Sequence, residues 1–104
     1  MESDWKKFCA IVPELRERYV AEQNAAVLRL LTDPTQTDTA RFWAALKLMT
    51  KEAKTLRQCL DGHSRSKMWL YMLSMRAAGM LKQEDLAGFS EELRNQMFPE
   101  PSGK

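Results

Sequence analysis

The fold is decided by the stretch FWAALKLMTKEAKTLRQCL at residues 42–60. Its apolar side chains recur at alternating intervals of four and three residues, a spacing that only an α-helix aligns on one face. The residues of this seam are Phe42, Leu46, Met49, Ala53, Leu56 and Leu60. An apolar helix face needs neighbours, so the seam predicts a packing spine inside an all-α protein.

Capping and turn residues outside this stretch predict further helices. Asp33-Pro34 disfavours helix, Thr37 or Asp38 suits a helix start, and Gly62 suits a left-handed helix end. The predicted helices span 13–31, 38–61, 65–78 and 83–97. Residues 5–10 predict a short extra helix, in which case Pro13 starts the next one. Alternatively, Pro13 kinks one continuous helix.

These elements predict a compact bundle of four main helices, with or without a short extra N-terminal helix. The length of 104 residues suits a single domain. We expect that domain to span residues 1–98 and a flexible tail to occupy residues 99–104, which are rich in proline and small or polar residues.

Composition predicts an intracellular, cytoplasmic protein with no membrane segment. No apolar run approaches 18 residues, and the start Met1-Glu2-Ser3-Asp4 is acidic and lacks the apolar core of a signal peptide. Cys9 and Cys59 stand 50 positions apart and belong to no metal or redox motif. We therefore expect two reduced thiols, packed as small hydrophobes.

Catalytic signatures are missing from the sequence. The single histidine, His63, lies in a predicted turn, and no nucleophile-elbow, phosphate-loop or zinc-protease motif occurs. Adjacent acids such as Glu84-Asp85 are typical of a solvated helix face. We expect no enzyme activity, no cofactor and no metal.

Charge is distributed unevenly although the net charge is only +2. Residues 40–82 carry nine basic and two acidic side chains, whereas residues 83–100 carry five acidic and one basic. The acidic last helix either covers the basic region or leaves it open for an acidic partner. An open basic region gives the second functional hypothesis, nucleic-acid binding. Its predicted binding residues are Lys47, Lys51, Lys54, Arg57, Arg65 and Lys67.

Apolar residues are in surplus, and this surplus gives the first functional hypothesis. The helix at 65–78 is apolar nearly all round, so it is either the buried centre of the bundle or a partner surface. Trp43 and Trp69 are too large for both to enter so small a core, which predicts an exposed patch at one of them. We expect a small adaptor or regulatory module that binds a protein partner or forms a homodimer. Its predicted anchors are Trp43, Met68, Trp69, Met72 and Met75.

Overall fold

The computed structural model describes residues 2–99 and confirms an all-α bundle of four main helices. The helices are α1 (Glu2–Leu31), α2 (Asp38–Leu60), α3 (Met68–Ala77) and α4 (Glu91–Met97), with 3₁₀ turns at Arg65–Lys67 and Gln83–Leu86. No strand occurs between residues 2 and 99. Apart from Pro99, the tail predicted at residues 99–104 lies outside the described residues.

Helix α1 is one continuous helix of 30 residues that contains Pro13. The short extra helix predicted at 5–10 is therefore the first part of α1. Proline removes one helical hydrogen bond, a cost that packing on both sides of the residue can offset. Phe8 and Leu15 supply this packing, since they flank Pro13 and are only 1% and 2% exposed.

Helices α1 and α2 form a long antiparallel hairpin. In its loop, the Asp33 carboxylate accepts hydrogen bonds from the Thr35 backbone N–H (2.9 Å) and hydroxyl (2.7 Å). The Thr37 hydroxyl then accepts from the Ala40 backbone N–H (3.1 Å) and caps α2. The predicted cap at Thr37 is confirmed, and the loop reverses the chain because its side chains replace the missing helical partners.

The hydrophobic core occupies only one end of this hairpin. Its buried residues are Phe8, Leu15, Tyr19, Cys59, Met68, Met72, Met75, Met80, Leu81, Leu86, Phe89, Leu93 and Met97. Residues 20–53 contribute nothing to that core, and this part of the hairpin is termed the arm. The other described residues, 2–19 and 54–99, are termed the head. The radius of gyration is 16.9 Å, whereas a compact domain of this length has about 13 Å. The arm therefore projects from the head.

Two polar joints hold the head together. Gly62 adopts a left-handed conformation (φ +77°), as predicted, and turns the chain out of α2. The next residue, His63, bonds through Nε2 to the Cys59 carbonyl (2.7 Å) and contacts the rings of Phe8 and Tyr71. At the other joint, the buried carboxylate of Asp4 accepts from the Ser90 backbone N–H (2.9 Å) and hydroxyl (2.7 Å).

The last predicted helix, 83–97, is divided in the structure. A 3₁₀ turn at Gln83–Leu86 and the short helix α4 are separated by residues 87–90. The break is at Ser90, whose backbone is extended (φ −61°, ψ 151°) and whose hydroxyl accepts from the Leu93 backbone N–H. A helix cannot continue through a residue that caps the next one, so the prediction of one long helix was wrong.

Both cysteines are free thiols, but they differ in exposure. Cys59 is buried as predicted, and its burial raises the pKa of the thiol. Cys9 is exposed, so the expectation of a packed side chain was wrong there. Within residues 2–99, neither long helix combines the length and apolar content needed to cross a bilayer.

Candidate functional site

The apolar seam of α2 divides between the head and the arm. Leu56 and Leu60 pack against the core of the head. Phe42, Leu46 and Met49 remain 57%, 43% and 54% exposed. The seam is therefore a packing spine only over its last part, and the expectation of a spine along the whole helix was wrong. Its first half is an exposed apolar surface.

The first half is exposed because α1 packs against a different side of α2. Ala45 is 5% exposed, and Leu48 and Glu52 on the same side are half-buried. At 3.6 residues per turn, these residues lie about 40–100° around the helix from Met49, all in the same direction. Contact with α1 therefore leaves the seam beside the helix interface instead of inside it.

Helix α1 contributes apolar residues to the same surface. Val20 and Val27 line a shallow groove together with Leu48, Met49 and Ala53 of α2. Leu31, one helical turn beyond Val27, is 45% exposed. The arm face is the surface formed by Val20, Val27, Leu31, Phe42, Leu46, Met49 and Ala53. It runs along both helices of the hairpin, and its apolar walls suit a protein surface more than a polar ligand.

A part-buried polar pair lies at the base of the arm. The Tyr19 hydroxyl donates a hydrogen bond to the Glu52 carboxylate. Burial of the ring and this bond to Glu52 raise the pKa of Tyr19 above its usual range. The carboxylate is thus partnered inside the chain, and the tyrosine stays protonated at neutral pH. The pair fixes the register of α1 against α2.

The two tryptophans singled out from the sequence are both exposed, in different parts of the molecule. Trp43 is 59% exposed in the arm, and its ring meets Phe42 edge-on with centroids 5.1 Å apart. Trp69 is 45% exposed on α3 in the head, next to Leu70 at 57%. We expected an exposed patch at one of the two tryptophans; both are exposed, and they lie in different parts of the molecule.

The three methionines of the predicted anchor set lie inside the head. Met68, Met72 and Met75 are 8%, 0% and 0% exposed. They belong to the same core as Phe8, Leu15 and the buried residues of the last segment. The sequence left two interpretations of this helix open, the buried centre of the bundle or a partner surface. These three side chains belong to the buried centre, and none of them is accessible to a partner in this fold.

The basic residues of α2 are exposed along the arm and its junction with the head. Lys47, Lys51, Lys54 and Arg57 form no ion pair with any residue between 2 and 99. Arg65 pairs with Glu2 (2.9 Å), and Lys67 is exposed in the 3₁₀ turn. Lys47, Lys51, Lys54 and Arg57 are termed the basic stripe. No acidic side chain among residues 2–99 pairs with it.

The acidic last segment binds elsewhere. Asp85 accepts two hydrogen bonds from the Arg18 guanidinium (2.9 and 2.7 Å), and Arg18 also donates to the Met80 carbonyl. Arg18 and the backbone N–H of Lys82 lower the pKa of the Asp85 carboxyl. Asp85 therefore pairs with Arg18 of α1, and the lysines of α2 are left uncovered by this segment.

Comparisons with family models, curated proteins and solved structures found no match to this chain. The function is therefore argued from the arm face and the basic stripe themselves.

Proposed function

We propose that the protein is a non-catalytic interaction module that binds a protein through the arm face. The observation that supports this most directly is the exposure of Phe42, Leu46 and Met49 on consecutive turns of one helix face. Large apolar side chains grouped in this way mark interaction sites more often than isolated ones do. Two helices that present one apolar stripe suit a helical partner best.

The energy available from covering this face is substantial. Full burial of a Leu, Met or Phe side chain contributes about 1.5–3 kcal/mol, and each of these three is about half exposed. Covering all three therefore contributes about 3 kcal/mol before Trp43 and Leu31 are considered. This gain is available to a partner, because residues 2–99 leave the face open.

Site-specific photocrosslinking tests the proposal. Benzoyl-phenylalanine is placed at Met49 on the arm face, and in a matched variant at Lys51, which points away from that face. In cells that produce the protein, we expect protein adducts from position 49 and few from position 51. Equal yields at the two positions, or no adduct from position 49, would contradict the proposal.

The second candidate function is nucleic-acid binding by the basic stripe. It is favoured by the exposure of Lys47, Lys51, Lys54 and Arg57 without an acidic partner among residues 2–99. Titration with generic duplex DNA at low and high salt tests it, since phosphate binding weakens steeply as salt rises. Salt-sensitive binding that is lost in Lys51→Glu supports this function, and no binding at low salt excludes it.

A further inference from the structure

We infer that a second copy of this chain covers the arm face, so that two arms form a four-helix bundle with both heads at the same end. This inference rests on the proposed function and specifies the occupant of the surface. In such a dimer the two-fold axis runs parallel to the helices. Helix α1 of each copy then lies against α2 of the other copy.

The register of the hairpin determines which positions lie at the same height along the arm. The hydrogen bond between Tyr19 and Glu52 places these two residues at about the same height along the hairpin, to within one helical turn. The helices are antiparallel, so each step forward on α1 corresponds to a step backward on α2. Position 17 is consequently level with 54, position 14 with 57, and position 28 with 43.

These level positions lie on the two outer edges of the arm face and of its continuation into the head. On α1, Glu17 and Leu28 lie beside the stripe of Val20 and Val27, on the side away from α2. On α2, Lys54 and Trp43 directly follow the seam residues Ala53 and Phe42, again on the outer side. The two edges of one arm are a hairpin's width apart, so they do not meet within one chain.

A two-fold axis parallel to the helices brings the α1 edge of one copy against the α2 edge of the other at unchanged height. Glu17 then faces Lys54 of the second copy, and Glu14 faces Arg57. Nearer the tip, Leu28 faces Trp43, and these side chains are 60% and 59% exposed in the single chain. Charges meet opposite charges and apolar groups meet apolar groups, and by symmetry each of these pairs occurs twice.

An arrangement in which the two copies are antiparallel lacks this complementarity. A two-fold axis perpendicular to the helices places α1 against α1 and α2 against α2. The two copies then run in opposite directions, so the charged base of each edge lies against the apolar tip of the same edge in the other copy. With the arms overlapped from Glu14 to Leu31, Glu17 faces Leu28, and Lys54 faces Trp43. A charge against an apolar side chain loses water without gaining a partner, so the charge pattern favours the arrangement with both heads at one end.

The contact area is sufficient for a dimer when the arm face and its continuation into the head as far as Glu14 are counted together. The segment from Glu14 to Leu31 is about 27 Å long at 1.5 Å per residue, and two adjacent helices are about 20 Å wide. The projected face is therefore about 540 Å² per copy, or about 1,100 Å² for the pair, against about 1,000 Å² for a specific interface. Interdigitating side chains raise the accessible area above this projection.

The segment of the head at residues 80–85 does not obstruct this face. Arg18 and Glu22 hold the segment at residues 80–85 through hydrogen bonds to Asp85 and Met80 and an ion pair with Lys82 (3.6 Å). Each lies two positions from Val20, and a step of two residues turns about 200° around a helix. The last segment therefore packs on the side of α1 opposite to the arm face.

Sedimentation equilibrium of the purified full chain tests the dimer. We expect a monomer–dimer equilibrium in the wild type, and we expect Glu17→Lys or Lys54→Glu alone to weaken dimerisation by at least about tenfold, because two pairs become repulsive. The double variant restores the opposite charges and should return within about threefold of the wild type. Lys51→Glu makes the same charge change on the opposite side of α2 and should match the wild type.

The outcomes separate this inference from the proposed function. A wild type that stays monomeric at its highest soluble concentration overturns the dimer, as does a double variant as weak as the singles. If Met49 then crosslinks a different protein, the proposed function stands and only the choice of occupant is wrong. A monomer with no adduct from Met49 contradicts both. All four variants change exposed residues, and circular dichroism verifies that each remains helical.

Discussion

The head and the arm use the same two long helices, but they treat apolar side chains in opposite ways. In the head, Met72 and Met75 are fully buried, whereas in the arm Phe42 and Met49 are more than half exposed. The cause is length: α3 and α4 have 10 and 7 residues and cannot cover helices of 30 and 23 residues. One continuous apolar seam therefore builds a core at one end of α2 and an open surface at the other.

The largest expected effect on the free energy of unfolding comes from truncating a methionine of the head, and the same change in the arm is its comparison. Met72→Ala removes a fully buried side chain and should lower the free energy of unfolding by about 2–5 kcal/mol. Met49→Ala removes an exposed one and should change the stability of the monomer by less than about 0.5 kcal/mol. Urea denaturation at several protein concentrations measures both and separates the stability of the monomer from any contribution of dimerisation.

Similar losses for the two variants at the lowest protein concentration would contradict the division into head and arm. A large loss for Met49→Ala that appears only at high concentration would instead locate that residue in an interface between chains.

The helices themselves could be predicted from sequence because their signals are local. The seam spacing, the cap at Thr37 and the left-handed Gly62 each act within a few residues, and each is found where it was expected. The continuous α1 was one of two alternatives for Pro13, and local patterns do not choose between them. That choice depends on Phe8 and Leu15 packing into a core formed by distant residues.

The use of each helix face could not be predicted, because it depends on which helices meet in three dimensions. The seam of α2 lies beside α1 instead of against it, since Ala45 and Leu48 make that contact. Ser90 illustrates the same limit. Its role as a helix cap depends on Asp4, which is 86 positions away in the chain.

The next largest effect concerns this joint between the ends of the head. Asp4→Ala leaves the Ser90 backbone N–H and hydroxyl without their buried partner and should cost about 2–3 kcal/mol in the free energy of unfolding. Ser3→Ala is the matched control, since among residues 2–99 Ser3 bonds only to the exposed Lys7 and the change should be nearly neutral. Equal costs would mean that the joint does not hold α4 in place.

A smaller effect depends on pH at the junction of head and arm. Asp85→Asn weakens the contact with Arg18 and should cost about 1 kcal/mol near pH 7. Arg18 lowers the pKa of the folded Asp85 carboxyl, so its stabilisation is complete above the unfolded pKa of about 4 and is lost as the pH falls through the folded pKa.

The stability difference between the wild type and Asp85→Asn should therefore persist from pH 7 down to about 5 and shrink below about 4. Urea denaturation as a function of pH measures it. Glu22→Gln is the control, because the Glu22–Lys82 pair is exposed and contributes little at any pH. A difference that grows on acidification would contradict the role assigned to the Asp85–Arg18 contact.

The smallest effect on overall stability is expected at the tip of the arm, and it tests whether the arm opens separately from the head. Thr37→Ala removes the hydroxyl that accepts from the Ala40 backbone N–H, a loss of about 1 kcal/mol to the first turn of α2. The tip contributes no side chain to the head core, so this turn can open while the head stays folded. Hydrogen exchange should accelerate about fivefold at the first amides of α2 and remain unchanged at α3.

Thr39→Ala, an exposed change in the same turn, should leave the exchange rates of both helices unchanged. Faster exchange throughout α3 in Thr37→Ala would instead show that head and arm unfold as one cooperative unit, because only then does a cap at the tip affect distant amides.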